Sequence, residues 1–212
     1  MIRSRFPKLE VPGLAFHEYF FKTTRKYADD VAMINNDTKE QFTFSDLKNK
    51  AKFVARALIA MGVEKGEVVI LCLDNTPEAV YLFLAISLAG AVASILSPKL
   101  NAAGAVASIL SPKLNADEMH FQFVESDTRV VFADPSALLE VQRLFRRINK
   151  PHRIICTGPR DLADLFPILD DLHFLANEVV TMPRIQPKAD IVYMPFSSGI
   201  HGKRKAILTS HY

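Results

Sequence analysis

Val68-Val-Ile-Leu-Cys-Leu73 is an unbroken apolar run set between the turn residues Lys65-Gly66-Glu67 and Asp74-Asn75. A segment this short with no polar face has no side to show to water, so it must be a strand covered on both faces, as in the centre of a parallel sheet. Helical segments are therefore required before and after it. Upstream, Ser45 is placed to cap a helix in which Leu47, Ala51, Val54, Leu58 and Met61 share a face and Gly62 marks the end. Downstream, Asn75-Thr76-Pro77 reads as a helix start and Gly90 as its stop.

The alternation then continues. Strands are expected at Val92–Leu96, Val130–Ala133 and Arg153–Cys156, and helices from Asn115, with Glu118 in capping-box position, and over Ser136–Arg147. A helix over Phe16–Tyr27 and short strands at Val31–Ile34 and Gln41–Phe44 precede the series. A mixed, proline-broken stretch over 158–187, expected as a surface helix plus loop, leads into a strand at Ile191–Phe196. The expected fold class is α/β, a layered and largely parallel sheet flanked by helices.

With 49% hydrophobic and 23% charged residues over 212 positions, the composition is that of a globular chain and excludes disorder. Twenty-six basic against 23 acidic residues leave a net charge of +3, too small an excess for a dedicated nucleic-acid binder. The basic group Arg143, Arg146, Arg147 and Lys150 falls at the end of an expected helix, where cations complement the helix dipole. Cys72 and Cys156 lie in apolar strand runs without the spacing of a disulfide framework or a zinc site, which suits a reducing compartment. Met1-Ile-Arg-Ser-Arg-Phe-Pro7 has charge but no apolar core, so no secretory signal is expected. Ala79–Leu96 is uncharged and nearly long enough to span a bilayer, yet the Pro77 start and Gly90 stop divide it into a helix and a strand. No membrane span is expected.

Residues 89–102 read AGAVASILSPKLNA, and residues 103–116 repeat this without a difference. Repeat folds stack several diverged units, whereas here two identical copies stand alone, a perfect tandem duplication inside one expected domain of residues 1–212. The first copy is joined to the Pro77 helix and the second to the helix after Asn115. Either copy can supply the strand while the other is extruded, so two registers compete.

After the last expected strand comes Ser197-Ser-Gly-Ile-His-Gly-Lys-Arg-Lys205, followed by a second apolar run, Ala206–Leu208, expected as a strand. Small residues let backbone N–H groups approach an anion, and Lys203, Arg204 and Lys205 add positive charge. The loop is not of the Walker type, since the first glycine of that pattern is missing and Arg204 follows Gly202-Lys203. On composition alone it is either a polyphosphate cradle or a flexible basic hairpin.

Ser197–Ile207 resembles the phosphate-binding signature of the adenylate-forming (AMP-binding) superfamily, Ser-Ser-Gly-Thr-Thr-Gly-x-Pro-Lys-Gly-Val. The matches are Ser197, Ser198, Gly199, Gly202 and Lys205, with Ser210-His211 resembling the Thr-His or Ser-His that follows. Upstream, Phe42–Leu47 resembles the family's Thr-Tyr-x-Glu-Leu box, and Leu88–Val92 its Ala-Gly-Ala-Val box, with Asn75-Thr-Pro-Glu78 before the latter. The branch resembled most is that of 4-coumarate-CoA ligases, luciferases and acyl-CoA synthetases.

The resemblance implies an ATP-dependent acyl- or aryl-CoA ligase, in which a carboxylate attacks the α-phosphate of Mg2+-bound ATP and a thiol, usually coenzyme A, then displaces AMP. It implies that Ser197, Ser198, Gly199, Ile200, His201, Gly202 and Lys205 are the nucleotide-binding residues. It also implies that the chain is the N-terminal, C-terminally truncated portion of the large domain. No catalytic or metal-ligating residue is assigned, and the isolated chain is expected to be inactive. Ile200 and His201 stand where the family has threonines, Arg204 where it has proline, and Ala206 where it has glycine. These departures leave a catalytically degenerate nucleotide- or partner-binding module as the alternative. The expected location is intracellular, cytoplasmic or peroxisomal, although Ser210-His-Tyr212 is not an address of the Ser-Lys-Leu type.

Overall fold

The computed structural model describes residues 10–96, 116–163, 166–197 and 205–212, with backbone only at 116–118. The elements are α1 (Phe16–Thr24), β1 (Val31–Ile34), β2 (Gln41–Thr43), α2 (Phe44–Ala60), β3 (Val68–Cys72), α3 (Pro77–Leu88), β4 (Val92–Leu96) and α4 (Ala116–Ser126). They continue with β5 (Val130–Ala133), α5 (Leu138–Ile148), β6 (Arg153–Cys156), α6 (Arg160–Ala163), α7 (His173–Ala176), β7 (Ile191–Tyr193) and β8 (Thr209–Ser210). β1 and β2 form an antiparallel pair. Among the described residues the main sheet has the order β6-β5-β3-β4-β7-β8, parallel throughout except for the last pair.

β3 lies inside this sheet, as its lack of a polar face demands. Val69 and Leu71 point to one face with Leu47, Val54, Leu58, Leu82 and Ile86 of α2 and α3; Ile70 and Cys72 point to the other with Phe123 of α4 and Val141, Leu144 and Phe145 of α5. The strands' period of two thus feeds two separate helical layers. α3 is apolar around most of its surface because it lies between the sheet, α2 and α1, with Phe83 edge-on to both Phe16 and Tyr193. That sandwiching explains its membrane-like composition. No helix among the described residues is long and apolar enough to cross a membrane.

Several boundaries differ from the sequence reading. α2 begins two residues early because Thr43, not Ser45, is the cap: the Asp46 amide donates to Thr43 Oγ1 at 3.1 Å, and Asp46 Oδ2 accepts the Thr43 amide at 2.8 Å. The Thr43 pair closes both ends of the box, which a lone Ser45 has no partner to do. The helix stops are at the expected places, with Gly62 at φ 84° and Gly90 at φ 71°, conformations that cost a side chain dearly. The Asn115–Glu118 capping box lies outside the described side chains.

The stretch 158–187 is more than surface helix and loop. Leu172 and Ala176 are buried in the core, α7 lies against α2, and the Arg56 guanidinium donates to the Glu178 carbonyl at 3.1 Å. Its short helical pieces carry too few turns for an apolar period to show. The end of α5 is as expected: Arg146 and Arg147 occupy its last turn, Lys150 pairs with Asp127, and Asn149 takes the left-handed cap. Cys72 and Cys156 are both free and buried, and burial pushes the Cys72 thiol up to about 12.

Gly158 follows β6 and lies against Pro135, where an added Cβ meets the ring carbon Cγ at 2.3 Å. A pyrrolidine ring is tied to its own backbone and cannot swing aside as a flexible side chain does. Gly158→Ala is expected to destabilise the fold by about 2 kcal/mol, read as a lower urea midpoint with an unchanged slope; an unchanged midpoint means this turn yields at no cost.

Candidate functional site

β7 is parallel to β4, with Ala93 opposite Tyr193, and the Met194 amide donates to the Ala93 carbonyl at 2.8 Å. The fully buried Ser94 hydroxyl donates to the Met194 carbonyl at 2.9 Å, so the end of β7 is held from two directions. Pro195, which has no N–H, then interrupts the ladder, and β7 is shorter than the expected Ile191–Phe196.

The loop that begins at Ser197 therefore leaves from the carboxyl edge of the parallel sheet, where α/β folds place their ligands. Its base is a closed hairpin. The Ser197 amide donates to the Lys205 carbonyl at 2.9 Å, the Lys205 amide donates to Ser197 Oγ at 3.2 Å, and Phe196 bridges Ala206 antiparallel. The Ile207 amide donates to the Pro195 carbonyl at 2.8 Å. Phe196 meets Phe121 of α4 edge-on with ring centres 6.2 Å apart. Ser197 and Lys205 are thus brought together, with the Lys205 side chain exposed. Ser198, Gly199, Ile200, His201 and Gly202 lie outside the described residues, as do Lys203 and Arg204.

The return arm is not the expected strand Ala206–Leu208. Ile207 and Leu208 are 49% and 63% exposed, and pairing with β7 comes only at Thr209–Ser210, as β8. An irregularity between Ile191 and Tyr193 shifts the ladder by one residue, so that Ile191 faces Ser210 and Tyr193 faces Thr209, and the register then holds past Pro195 to the Phe196–Ala206 bridge.

Behind the hairpin lies a polar group that the sequence reading did not find, apart from Ser210-His211 as part of a motif. The Lys65 ammonium pairs with Asp190 at 2.6 Å and donates to the Arg184 carbonyl at 2.9 Å, while Asp190 Oδ2 accepts the Gln186 amide at 2.6 Å. The His211 amide donates to the Asp190 carbonyl at 3.3 Å, and His211 Nδ1 accepts the Phe16 amide at 3.2 Å. His17 Nδ1 and Ser87 Oγ of α3 are 2.9 Å apart. Burial, with the neighbouring His211, lowers the His17 ring to about 4; burial also lowers His211. No spacing in the sequence announces these partners, because α1, α3 and β8 meet only in the fold.

At the same sheet edge, between β3 and β5, Asp134 Oδ2 accepts the Asp74 amide at 2.6 Å and Oδ1 accepts the Thr157 hydroxyl at 3.1 Å. α3 follows β3 onto one face and α5 follows β5 onto the other, which makes this the switch point of the sheet. Here Asp134 ties three strand ends together. Among the described residues no group of three or more His, Cys, Asp or Glu side chains is placed to hold a metal ion.

The chain is similar to known proteins in sequence and in fold. The chain is 28% identical over 217 residues to the 4-coumarate–CoA ligase CCL1 of Humulus lupulus and 27% identical over 218 residues to 4-coumarate–CoA ligase 1 of Arabidopsis thaliana; each alignment takes in 100% of this chain. The chain spans 36% of the length of either relative. Among solved structures, a long-chain-fatty-acid-CoA ligase of Archaeoglobus fulgidus superposes with a TM-score of 0.80 at 17% identity, over 99% of this chain and 39% of that one. The luciferase-like enzyme of the mealworm Zophobas morio does so with a TM-score of 0.76 at 23% identity, over 93% of this chain and 43% of that one. These likenesses establish the fold. The sequence profile of AMP-binding enzymes matches residues 20–212, from α1 through the hairpin to the last residue, and the chain accordingly belongs to the AMP-binding enzyme family.

Proposed function

We propose that this chain is the phosphate-gripping portion of an ATP-dependent acyl- or aryl-CoA ligase. The observation that supports this most directly is the Ser197–Lys205 hairpin, closed at its base and set at the carboxyl edge of a parallel sheet in a member of this family. In this reading residues 1–212 form a single α/β unit, an incomplete part of a larger adenylate-forming domain. The chain spans 36% of the relatives' length, and in this reading the pockets for the carboxylic acid and coenzyme A lie in the remainder.

The chemistry assigned to the loop is electrostatic. Ser197, Ser198, Gly199, Ile200, His201 and Gly202 supply backbone N–H groups or side chains to the β- and γ-phosphates, and Lys205 supplies a cation. Together they orient the leaving pyrophosphate while an acid attacks the α-phosphorus. Magnesium enters this reading as the counter-ion of the nucleotide, whose charge must be met by more than one lysine.

Ile200 offers no hydroxyl, and a hydrogen bond to a charged phosphate is worth roughly 1.5 to 3 kcal/mol. The double substitution Ile200→Thr/His201→Thr is therefore expected to tighten Mg-ATP binding about ten- to a hundred-fold in calorimetric titration. Lys205→Ala is expected to weaken it about tenfold. If both variants bind like the parent, the loop does not hold phosphate. Pyrophosphate release with a panel of fatty and aromatic acids is expected to be undetectable with these 212 residues and to appear when the rest of the ligase is supplied.

A further inference from the structure

We infer that His17 and His211 form a latch joining α1 to the return arm of the Ser197–Lys205 hairpin, and that it holds only while both imidazoles are neutral. His17 and His211 are 6% and 8% exposed, with ring centres 6.0 Å apart at an angle of 87°. His211 Nδ1 accepts the Phe16 amide, the first residue of α1. An Nδ1 that accepts carries no proton, so the neutral ring has its hydrogen on Nε2. Nε2 is itself buried without a partner in the described structure. Protonating the ring places an N–H against the Phe16 N–H, and the bond cannot survive.

The surroundings do not favour the cation. Around the pair stand Glu18 of α1, Ser87 of α3, Asp190 before β7 and Lys65 between α2 and β3. Glu18 and Asp190 favour the charged rings, but Asp190 is already engaged by Lys65 and by the Gln186 amide. Burial outweighs them, and His211 opposes charge on His17 as Lys65 opposes charge on His211. The relief is mechanical: if α1 withdraws, both rings reach water and charge at the ordinary histidine value. His211 follows β8 directly, and the arm it anchors is the one that returns from Lys205.

Amide hydrogen exchange without nucleotide tests the latch. Protection factors at Phe16, Ile207 and His211 are expected to fall together between pH 7.5 and 5.5, about tenfold from His17 alone and further from His211. Leu71 in β3 stays protected and reports the intact core. His211→Asn, which presents an acceptor near the Nδ1 position and does not titrate, is expected to keep only the fall that His17 supplies. His211→Ala is expected to leave Phe16 and Ile207 poorly protected at both pH values. If that variant fails to fold, the parent and His211→Asn still decide. Equal protection of the parent at the two pH values, or loss at Phe16 without loss at Ile207, overturns the latch. That an open latch weakens nucleotide binding rests on the phosphate-loop reading above. A latch that responds to pH while Mg-ATP affinity does not would remove that reading and leave the latch standing.

Discussion

Ala93→Asp alone is expected to lower stability by only about 1 to 2 kcal/mol, and Ala93→Asp with Ala107→Asp to abolish cooperative folding. Ala93 is fully buried in β4, between Val69 of β3 and Tyr193 of β7, and packs on the α2/α3 face. An unpaired carboxylate there should cost about 3 to 5 kcal/mol, enough to unfold a domain of ordinary stability. The structure builds β4 from the first copy of the duplicated segment. The second copy has an identical Val-Ala-Ser-Ile-Leu over 106–110, with Ala107 in the place of Ala93.

Exchanging the copies lengthens the connection from α3 to β4 and shortens the one from β4 to α4 by the same stretch. Each doubling of a loop costs only about 0.6 kcal/mol, so the two changes nearly cancel. What is lost is local, chiefly the Ala91 amide to Ile86 carbonyl bond that closes α3, and the Gly66 amide to Gly90 carbonyl bond. Ala107→Asp alone is expected to change stability by less than about 0.5 kcal/mol. Deleting residues 103–116 removes the reserve strand. In that background, which is expected to be more soluble and more stable, Ala93→Asp should carry its full cost. Urea unfolding of these variants gives the cycle directly. If Ala93→Asp unfolds the undeleted chain as completely as the double variant does, only the first copy can serve as β4.

The parts of the fold that the sequence made legible are those where one physical demand dominates. Val68–Leu73 has no polar residue and could only be an inner strand; Pro77 and Gly90 bound α3 because one presets φ and the other takes a positive φ. Elsewhere two weak demands compete. Ser45 and Thr43 are both good caps, and only the geometry of Asp46 chooses between them. Ile191–Phe196 is uniformly apolar, yet Pro195 has no N–H to extend the ladder, and beyond it the pairing is reduced to the isolated Phe196–Ala206 bridge, with regular pairing only at Thr209–Ser210. Within the site, the loop was legible as a string of small and basic residues. Its support was not, because His17, Lys65, Asp190 and His211 come from separate elements and, apart from His211 beside Ser210, none has a tell-tale neighbour in sequence.

His17 should make the protein measurably weaker in mild acid. Its ring falls from the ordinary 6.5 to about 4 in the fold, so between those values the unfolded chain binds a proton that the native state refuses. Stability from this group is therefore complete above about pH 6.5 and is lost as pH falls, at about 1.4 kcal/mol per unit. From pH 7 to pH 5 the loss is about 2 kcal/mol, and the lowered His211 adds to it with the same sign. Asp46, Asp171 and Asp190, whose carboxyls are held below their ordinary value, lose their contributions only in more acid solution, so the window isolates the histidines. Urea midpoints across this range should slope for the parent and slope less steeply for His17→Gln, which keeps a polar group beside Ser87 and cannot titrate, leaving only the share of His211. A plateau reached before pH 5 would mark the free energy at which α1 leaves the core while the sheet stays folded, since a released ring no longer resists its proton. A parent curve no steeper than that of His17→Gln would mean the ring is already charged in the native state, and that burial beside Ser87 does not exclude the proton.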